Sequence, residues 1–157
     1  NEGRAQQYST PLEAYHNPSN TFVASFLGTP PMNLIEGVAS GGVFTYSGQT
    51  GGTPPLTREL PDRYSGYEGQ CTLGFRPENT GLKIGEEGGK FNIAGFESLG
   101  SETVVHLDHG ELRISAVWHR PGPEANHKIT DRKTAVKVAV EESDIRLFDE
   151  NGIAVRL

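Results

Sequence analysis

Five histidines, a glycine-rich loop ending in lysine and two pairs of adjacent carboxylates are the side chains of this sequence whose types could do chemistry. The histidines, His16, His106, His109, His119 and His127, are raw material for a zinc site. No two of them stand four apart, the spacing that sets two imidazoles on one helix face, and His106 and His109 would point to opposite faces of a strand. They read as surface or hairpin residues. Cys71 is the one cysteine, between Gln70 and Thr72, and alone it can form neither an internal disulfide nor a thiolate cage. It reads as a reduced core thiol, and no metal ligand is assigned.

Gly85-Glu86-Glu87-Gly88-Gly89-Lys90 mimics a phosphate loop. A true one has a further glycine separated by four residues from its Gly-Lys pair and a hydroxyl residue after the lysine, but Ile84 and Phe91 hold those places. Two acidic side chains in the loop would also repel phosphate, so it reads as a turn. No Gly-x-Ser-x-Gly elbow marks a nucleophile, and Glu86-Glu87 and Glu141-Glu142 read as solvated turn acids. The sequence therefore assigns no catalytic and no cofactor-binding residue, and the chain reads as non-enzymatic.

Composition narrows the partners. The net charge is −6, from 14 basic and 20 acidic residues, so there is no positive field to draw nucleic acid or anionic lipid. Phe75, Phe91, Phe96 and Trp118 fall in or beside strand patterns, as core or interface residues do, rather than lining a basic groove. No apolar run approaches the roughly 18 residues that span a bilayer, and no signal-like segment opens the chain, so a soluble chain is expected. It begins Asn1-Glu2-Gly3-Arg4 without methionine, the expectation being a piece of a longer protein.

The 157 residues are enough to bury a genuine core, and 20 Gly and 10 Pro with only 34% apolar residues favour many short strands. Residues 1–31 differ from the rest. Thr10-Pro11-Leu12-Glu13 is a capping box that predicts a short helix over Leu12 to Tyr15. Asn17-Pro18 repeats the start signal, after which Phe22, Val23, Phe26 and Leu27 form one apolar helical stripe, ended by Gly28 and Pro30-Pro31. That stripe packs either on its own domain or on a neighbouring one.

From Met32 the period is two. Met32 to Val38 and Val43 to Tyr46 predict a hairpin, a short strand is expected near Leu56, and Cys71 to Arg76 runs into a corner at Pro77. Phe91 to Phe96 follows, with Gly95 as a bulge. Thr103, Val105 and Leu107 face Leu112, Ile114 and Ala116 across a turn at Asp108-His109-Gly110. Val136, Val138 and Val140 restart the alternation, and Ile145 to Phe148 pairs with Ile153 to Val155 through an Asn151-Gly152 turn. The expected fold is mainly β: about ten short strands in OB-like, partly closed antiparallel barrels, over residues 32–157, behind a helical lead-in over 1–31.

These residues also carry a resemblance. Gly3 to Gln7, Thr10 to Tyr15, Pro18 to Gly28 and Pro31-Met32-Asn33 resemble the segment that follows the ATPase core in maltose-type and glycerol-3-phosphate-type ABC importer subunits. Leu73-Gly74-Phe75-Arg76-Pro77-Glu78 resembles that family's strand-and-corner motif, Glu97 to Glu102 with Leu99-Gly100 its turn, and Leu147-Phe148-Asp149 an element near its C-terminus. The resemblance implies a regulatory, transport-associated OB (TOBE) domain at the cytoplasmic face of the cell membrane, in a homodimeric ATPase subunit beside membrane-embedded permease subunits. It implies a cytosolic regulatory protein or small effector as a further partner, and it places ATP and Mg in a preceding domain. Arg76, Pro77, Glu78, Leu99, Gly100, Phe148 and Asp149 are then structural motif residues. The alternative is a binding module for an oxyanion or a sugar, to which Arg76, Lys83 and Lys90 would bring positive charge. Segments 48–70 and 120–132 match no landmark.

Overall fold

The computed structural model describes residues 7–48, 55–85, 87–119 and 135–156. Two helices of six residues open it. α1 (Pro11–His16) begins where the Thr10 hydroxyl accepts the Glu13 N–H at 3.2 Å, with proline at the helix start, as the capping signal predicts. α2 (Thr21–Phe26) is capped by Asn20, whose Oδ1 accepts the Val23 N–H at 2.9 Å. Asn17-Pro18 is therefore not its start signal, and Pro18 is buried ahead of the helix.

The expected four-residue stripe on α2 is split. Val23 and Ala24 turn inward, whereas Phe22 and Phe26 stay 40% and 76% exposed and stack on each other with ring centroids 6.0 Å apart. The helix ends at Phe26 and Leu27 is already extended, so an i, i+4 pair is all that one face can hold.

Ten strands follow among the described residues, in two antiparallel five-stranded sheets. The first contains β1 (Asn33–Ser40), β2 (Val43–Tyr46), β3 (Thr57–Glu59), β4 (Gly69–Phe75) and β10 (Arg146–Asp149), in the order β10-β4-β1-β2-β3. The second contains β5 (Thr80–Ile84), β6 (Phe91–Ser98), β7 (Glu102–His109), β8 (Leu112–His119) and β9 (Ala135–Val140), in the order β5-β9-β6-β7-β8. Its edge strands β5 and β8 approach each other, so the sheet curls towards the closure of an OB-like barrel.

Two of the three predicted hairpins form in full, β1–β2 and β7–β8. Val105 pairs with Ala116 and Leu107 with Ile114, and the β6 register skips Ala94 beside Gly95, which is the expected bulge. β5 was not foreseen, because only Leu82 and Ile84 alternate after the Pro77 corner; it is β9 that completes it, pairing Leu82 with Val138. The C-terminal hairpin is reduced to a single bridge, Phe148 with Ala154, while Ile153 bridges Asn20 of the lead-in instead.

One core lies between the sheets. Ile35, Phe44, Leu73 and Phe75 of the first meet Phe91, Val105, Leu107 and Ile114 of the second. Asn33 joins the two: its Nδ2 donates to the Ser115 carbonyl and its Oδ1 accepts the Ser115 N–H, both at 2.8 Å. β8 is an edge strand, so this one amide satisfies backbone groups that no neighbouring strand reaches. Asn33→Ala orphans both groups and is expected to destabilise the chain by about 2 kcal/mol in urea unfolding.

Candidate functional site

The most organised polar site among the described residues is built where β4 ends. Pro77 has no N–H to continue the ladder, and the chain turns through a 3-10 segment (Pro77–Asn79), with the Arg76 carbonyl accepting from Asn79 N at 3.1 Å and Thr80 Oγ1 at 3.0 Å. The corner sends the Arg76 side chain under the lead-in, where it is 4% exposed.

There the guanidinium meets the C-terminal ends of both helices. Nη2 donates to the Tyr15 carbonyl at 2.7 Å; Nη1 donates to the Ala24 carbonyl at 3.3 Å and to that of Leu27. Helix C-termini leave carbonyls unpaired and carry the negative end of the helix dipole, so one cation answers both needs twice. The guanidinium also lies 3.9 Å from the centroid of the Tyr15 ring, and the Tyr15 hydroxyl donates to Glu78 Oε1. Gly28 has a φ of +107°, and a Cβ there would come within 3.2 Å of Arg76 Nη1, so the exit from α2 needs glycine on two counts.

Electrostatics follow from burial. Desolvation holds the Arg76 guanidinium below its ordinary range, while the nearby Tyr15 and Glu78 push the other way. Burial and then the hydrogen bond to Glu78 raise the Tyr15 phenol above its ordinary 10.0. A raised folded-state value means that this contribution to stability is complete below about pH 10 and is lost as pH rises through the folded value. Alkaline unfolding is therefore expected to steepen above about pH 10, and less so in Tyr15→Phe, followed by phenolate absorbance together with circular dichroism.

A second attachment grips the start of α2. Asp149 Oδ1 accepts the N–H groups of Asn151 and Ile153, each at 2.9 Å, and closes the Asn-Gly turn. The Gly152 carbonyl then accepts the Thr21 N–H at 2.8 Å, and Ser19 O accepts from Ala154 N at 2.9 Å. Gly152 sits at φ +74°, and a Cβ there would lie 2.5 Å from Thr21 Oγ1. Phe148, fully buried, packs with Ala24 and Met32 beneath the helix.

Arg76, Glu78 and Phe148 thus meet the lead-in, while Pro77 makes the corner that sends Arg76 there and Asp149 orders the turn that bonds to it. Leu99 and Gly100 do not: they form the β6–β7 turn, where Leu99 is exposed, its N–H bonds to Glu102 O at 2.8 Å, and Gly100 has φ +81°. Sequence reasoning missed Tyr15 and the three carbonyls. Tyr15 is an aromatic just ahead of the α1 end; backbone acceptors leave no mark in a sequence.

The other candidates stay apart from this site. Among the described residues no group of three or more His, Cys, Asp and Glu could hold a metal ion. His109 is buried rather than at the surface, its Nδ1–H donating to the Lys90 carbonyl at 2.6 Å and its ring 5.5 Å from that of Phe91. His106 contacts Ser115 and Glu97, His119 lies 3.4 Å from Glu102, and His16 packs edge-on to Tyr15. Cys71 is a buried free thiol pushed up by burial. Arg76 turns both terminal nitrogens to the helix-end carbonyls and Lys90 donates to Pro55 O at 2.9 Å, so with Lys83 out on β5 the three cations considered for an oxyanion do not form a common site. Glu141 and Glu142 are exposed. His127, Glu86 and the 120–132 segment lie outside the described residues, and no described helix is long and apolar enough to cross a membrane.

No family model matches the chain. It is similar to the xylose/arabinose import ATP-binding protein XacK of Haloferax volcanii, 34% identical, with 99% of this chain and 40% of the relative covered. It is also similar to two sn-glycerol-3-phosphate import ATP-binding proteins UgpC. That of a Jannaschia species is 33% identical over 95% of this chain and 38% of the relative; that of Salmonella typhimurium is 39% identical over 80% and 35%. The chain thus spans about 40% of the length of these relatives.

Proposed function

Because this chain is homologous over 99% of its length to a C-terminal region of the ATP-binding subunits of sugar and glycerol-3-phosphate importers, we propose that it is a non-catalytic regulatory and dimerisation module of such a subunit. In this reading ATP and Mg bind in a preceding ATPase domain, the assembly sits at the cytoplasmic face of the membrane against permease subunits, and the solute is a sugar or glycerol-3-phosphate.

The Arg76 clamp carries the regulatory part of this reading. It ties both lead-in helices to the β corner through their terminal carbonyls, so a domain attached ahead of the lead-in would move the sheets as it moves. Two copies held together through their barrels would then stay associated while the ATPase domains open and close. An effector that binds one arrangement better would bias that equilibrium by its differential affinity. The stacked Phe22 and Phe26 are an apolar pair that the described residues leave exposed. In this reading they pack against the ATPase domain.

The test is light scattering after size exclusion over a range of concentrations, comparing the 157-residue chain with Phe22→Ser/Phe26→Ser. A truncation at Met32 is unsuitable, because it would remove the carbonyls that Arg76 holds and the Ala24 that covers Phe148. The expected result is a dimer in both, with a dissociation constant within about threefold, since 0.6 kcal/mol is about that factor. A dimer lost in the variant would assign association to the exposed phenylalanines. A monomer throughout would remove the claim that these barrels hold two copies together.

A further inference from the structure

Three arginines share one cleft, and no carboxylate lines it with them. The cleft, of about 350 Å³, opens between the end of α1, the 3-10 turn Asp62–Tyr64 and the C-terminal segment. Arg63, Arg146 and Arg156 stand on its wall with Asn17, Ser143 and Val155. Two of the guanidiniums are fixed side by side. Arg63 Nη2 donates to the carbonyls of Glu142 and Ile145 at 2.7 and 2.8 Å, and Arg146 Nη1 to those of Ser143 and Ile145 at 2.6 and 2.9 Å. Both cations thus meet on the Ile145 carbonyl. Arg146 Nε donates to the His16 carbonyl at 3.0 Å, which ties the cleft to the end of α1.

The donors left over are accessible. Arg63 and Arg156 are exposed, and Arg146 Nη2 has no acceptor among the described residues and is not buried. None of the three forms an ion pair with a described Asp or Glu. Asp62, Glu142 and Asp144 adjoin the cleft in sequence but do not line it; Asp144 accepts from Asn79 at 2.8 Å, and Glu142 acts on Arg58. Like charges held together repel, and Arg146 also repels the buried Arg76, so an anion between the arginines offsets both costs. One guanidinium fork fills both oxygens of a carboxylate, whereas a phosphate has oxygens for two forks at once. Past Asn17 and Arg156 the cleft continues into a wider groove of about 730 Å³, where Tyr8, Ser9 and Ser19 bring polar groups of the kind that hydroxyls bond. The one carboxylate of the groove, Glu13, stands in this half and not among the paired arginines. We propose that the cleft binds a small sugar or polyol phosphate monoester. Its phosphate accepts from Arg63 and Arg146, with Arg156 at the rim, and its hydroxyls lie along Asn17, Ser9 and Ser19.

Such a ligand would fasten the C-terminal segment to the chain that leaves α1. Its role as an effector rests on the regulatory reading above; its binding does not need the dimer, and either can fail alone.

The experiment is calorimetric titration of the 157-residue chain with glucose 6-phosphate, inorganic phosphate and gluconate, at about 0.15 M salt, where distant charges are screened. Glucose 6-phosphate is expected to bind saturably. Inorganic phosphate, without the hydroxylated body, is expected to bind at least about threefold more weakly, and gluconate, a carboxylate on a similar body, at least about tenfold more weakly. Arg63→Gln is expected to weaken glucose 6-phosphate at least about tenfold, the loss of one charge-assisted hydrogen bond, and Arg156→Gln at least about threefold. Arg156 makes no hydrogen bond to a described residue, so its variant serves if Arg63→Gln, which frees the Glu142 and Ile145 carbonyls, fails to fold by circular dichroism. Arg113→Gln removes a surface arginine paired with Asp108 and is expected to leave binding unchanged. Overturning results are the absence of saturable heat from glucose 6-phosphate, phosphate or gluconate binding as tightly, an Arg156→Gln chain that binds as well as the original, or an equal loss in Arg113→Gln.

Discussion

Arg76→Met is expected to lower stability by about 3 kcal/mol in urea unfolding and to make the lead-in helices accessible to protease. Three carbonyls lose their donor at once, those of Tyr15, Ala24 and Leu27. Each buried acceptor left unpaired costs about 1–3 kcal/mol, partly offset because methionine carries no charge to desolvate. Arg76→Lys separates charge from geometry. An ammonium keeps the charge but is a point donor, and it cannot lie flat on the Tyr15 ring while reaching the ends of two helices. It is expected to recover less than half of the loss. If Arg76→Met changes stability by under about 1 kcal/mol, the helices are held by Phe148, Met32 and Ala24 alone, and the regulatory coupling through the corner loses its physical basis.

What could be read in the sequence was local. The Thr10 cap, the Pro77 corner, the Gly95 bulge and the strands on either side of His109-Gly110 each depend on residues within a few positions of one another, and each forms. Much of what was not legible is long-range and polar. Arg76 bonds to carbonyls 49, 52 and 61 residues away, and Asn33 to Ser115 across 82 residues. Backbone acceptors are the same at every position, so no residue type announces them. The split of Phe22 and Val23 onto different sides of α2 was hidden for a related reason. On a helix of six residues the inward face is chosen by what lies beneath it, here Phe148 and Met32, rather than by periodicity. The C-terminal motif residues reach the lead-in because the C-terminal turn folds back onto the N-terminal cap through Asn20 and Ile153. The site that binds them is thus a property of topology.

Phe148→Ala is expected to destabilise the chain by about 3–5 kcal/mol, the range for emptying a fully buried aromatic position. The ring has a specific neighbour that makes the loss interpretable. Gly74 lies beneath it, and a Cβ built there would come within 2.9 Å of both Phe148 and Met32 Sδ. Glycine at that β4 position is therefore a shape requirement set by the ring, and Gly74→Ala alone is expected to cost about 1–3 kcal/mol through overpacking. The two changes should not add. Once the ring is gone its space can accept the new methyl, so Gly74→Ala/Phe148→Ala is expected to fall at least about 1 kcal/mol short of the summed single effects, as contacting residues do. Simple additivity in urea unfolding would mean that Met32, not Phe148, sets the limit at Gly74. In either case hydrogen exchange at Ala24 and Leu27 should rise more than at Val105, because Phe148 holds α2 against the β unit while Val105 belongs to the larger inter-sheet core. A uniform rise across both would instead make the lead-in and the barrels one cooperative unit in unfolding, a separate property from the native-state coupling that the Arg76 bonds to the helix ends supply.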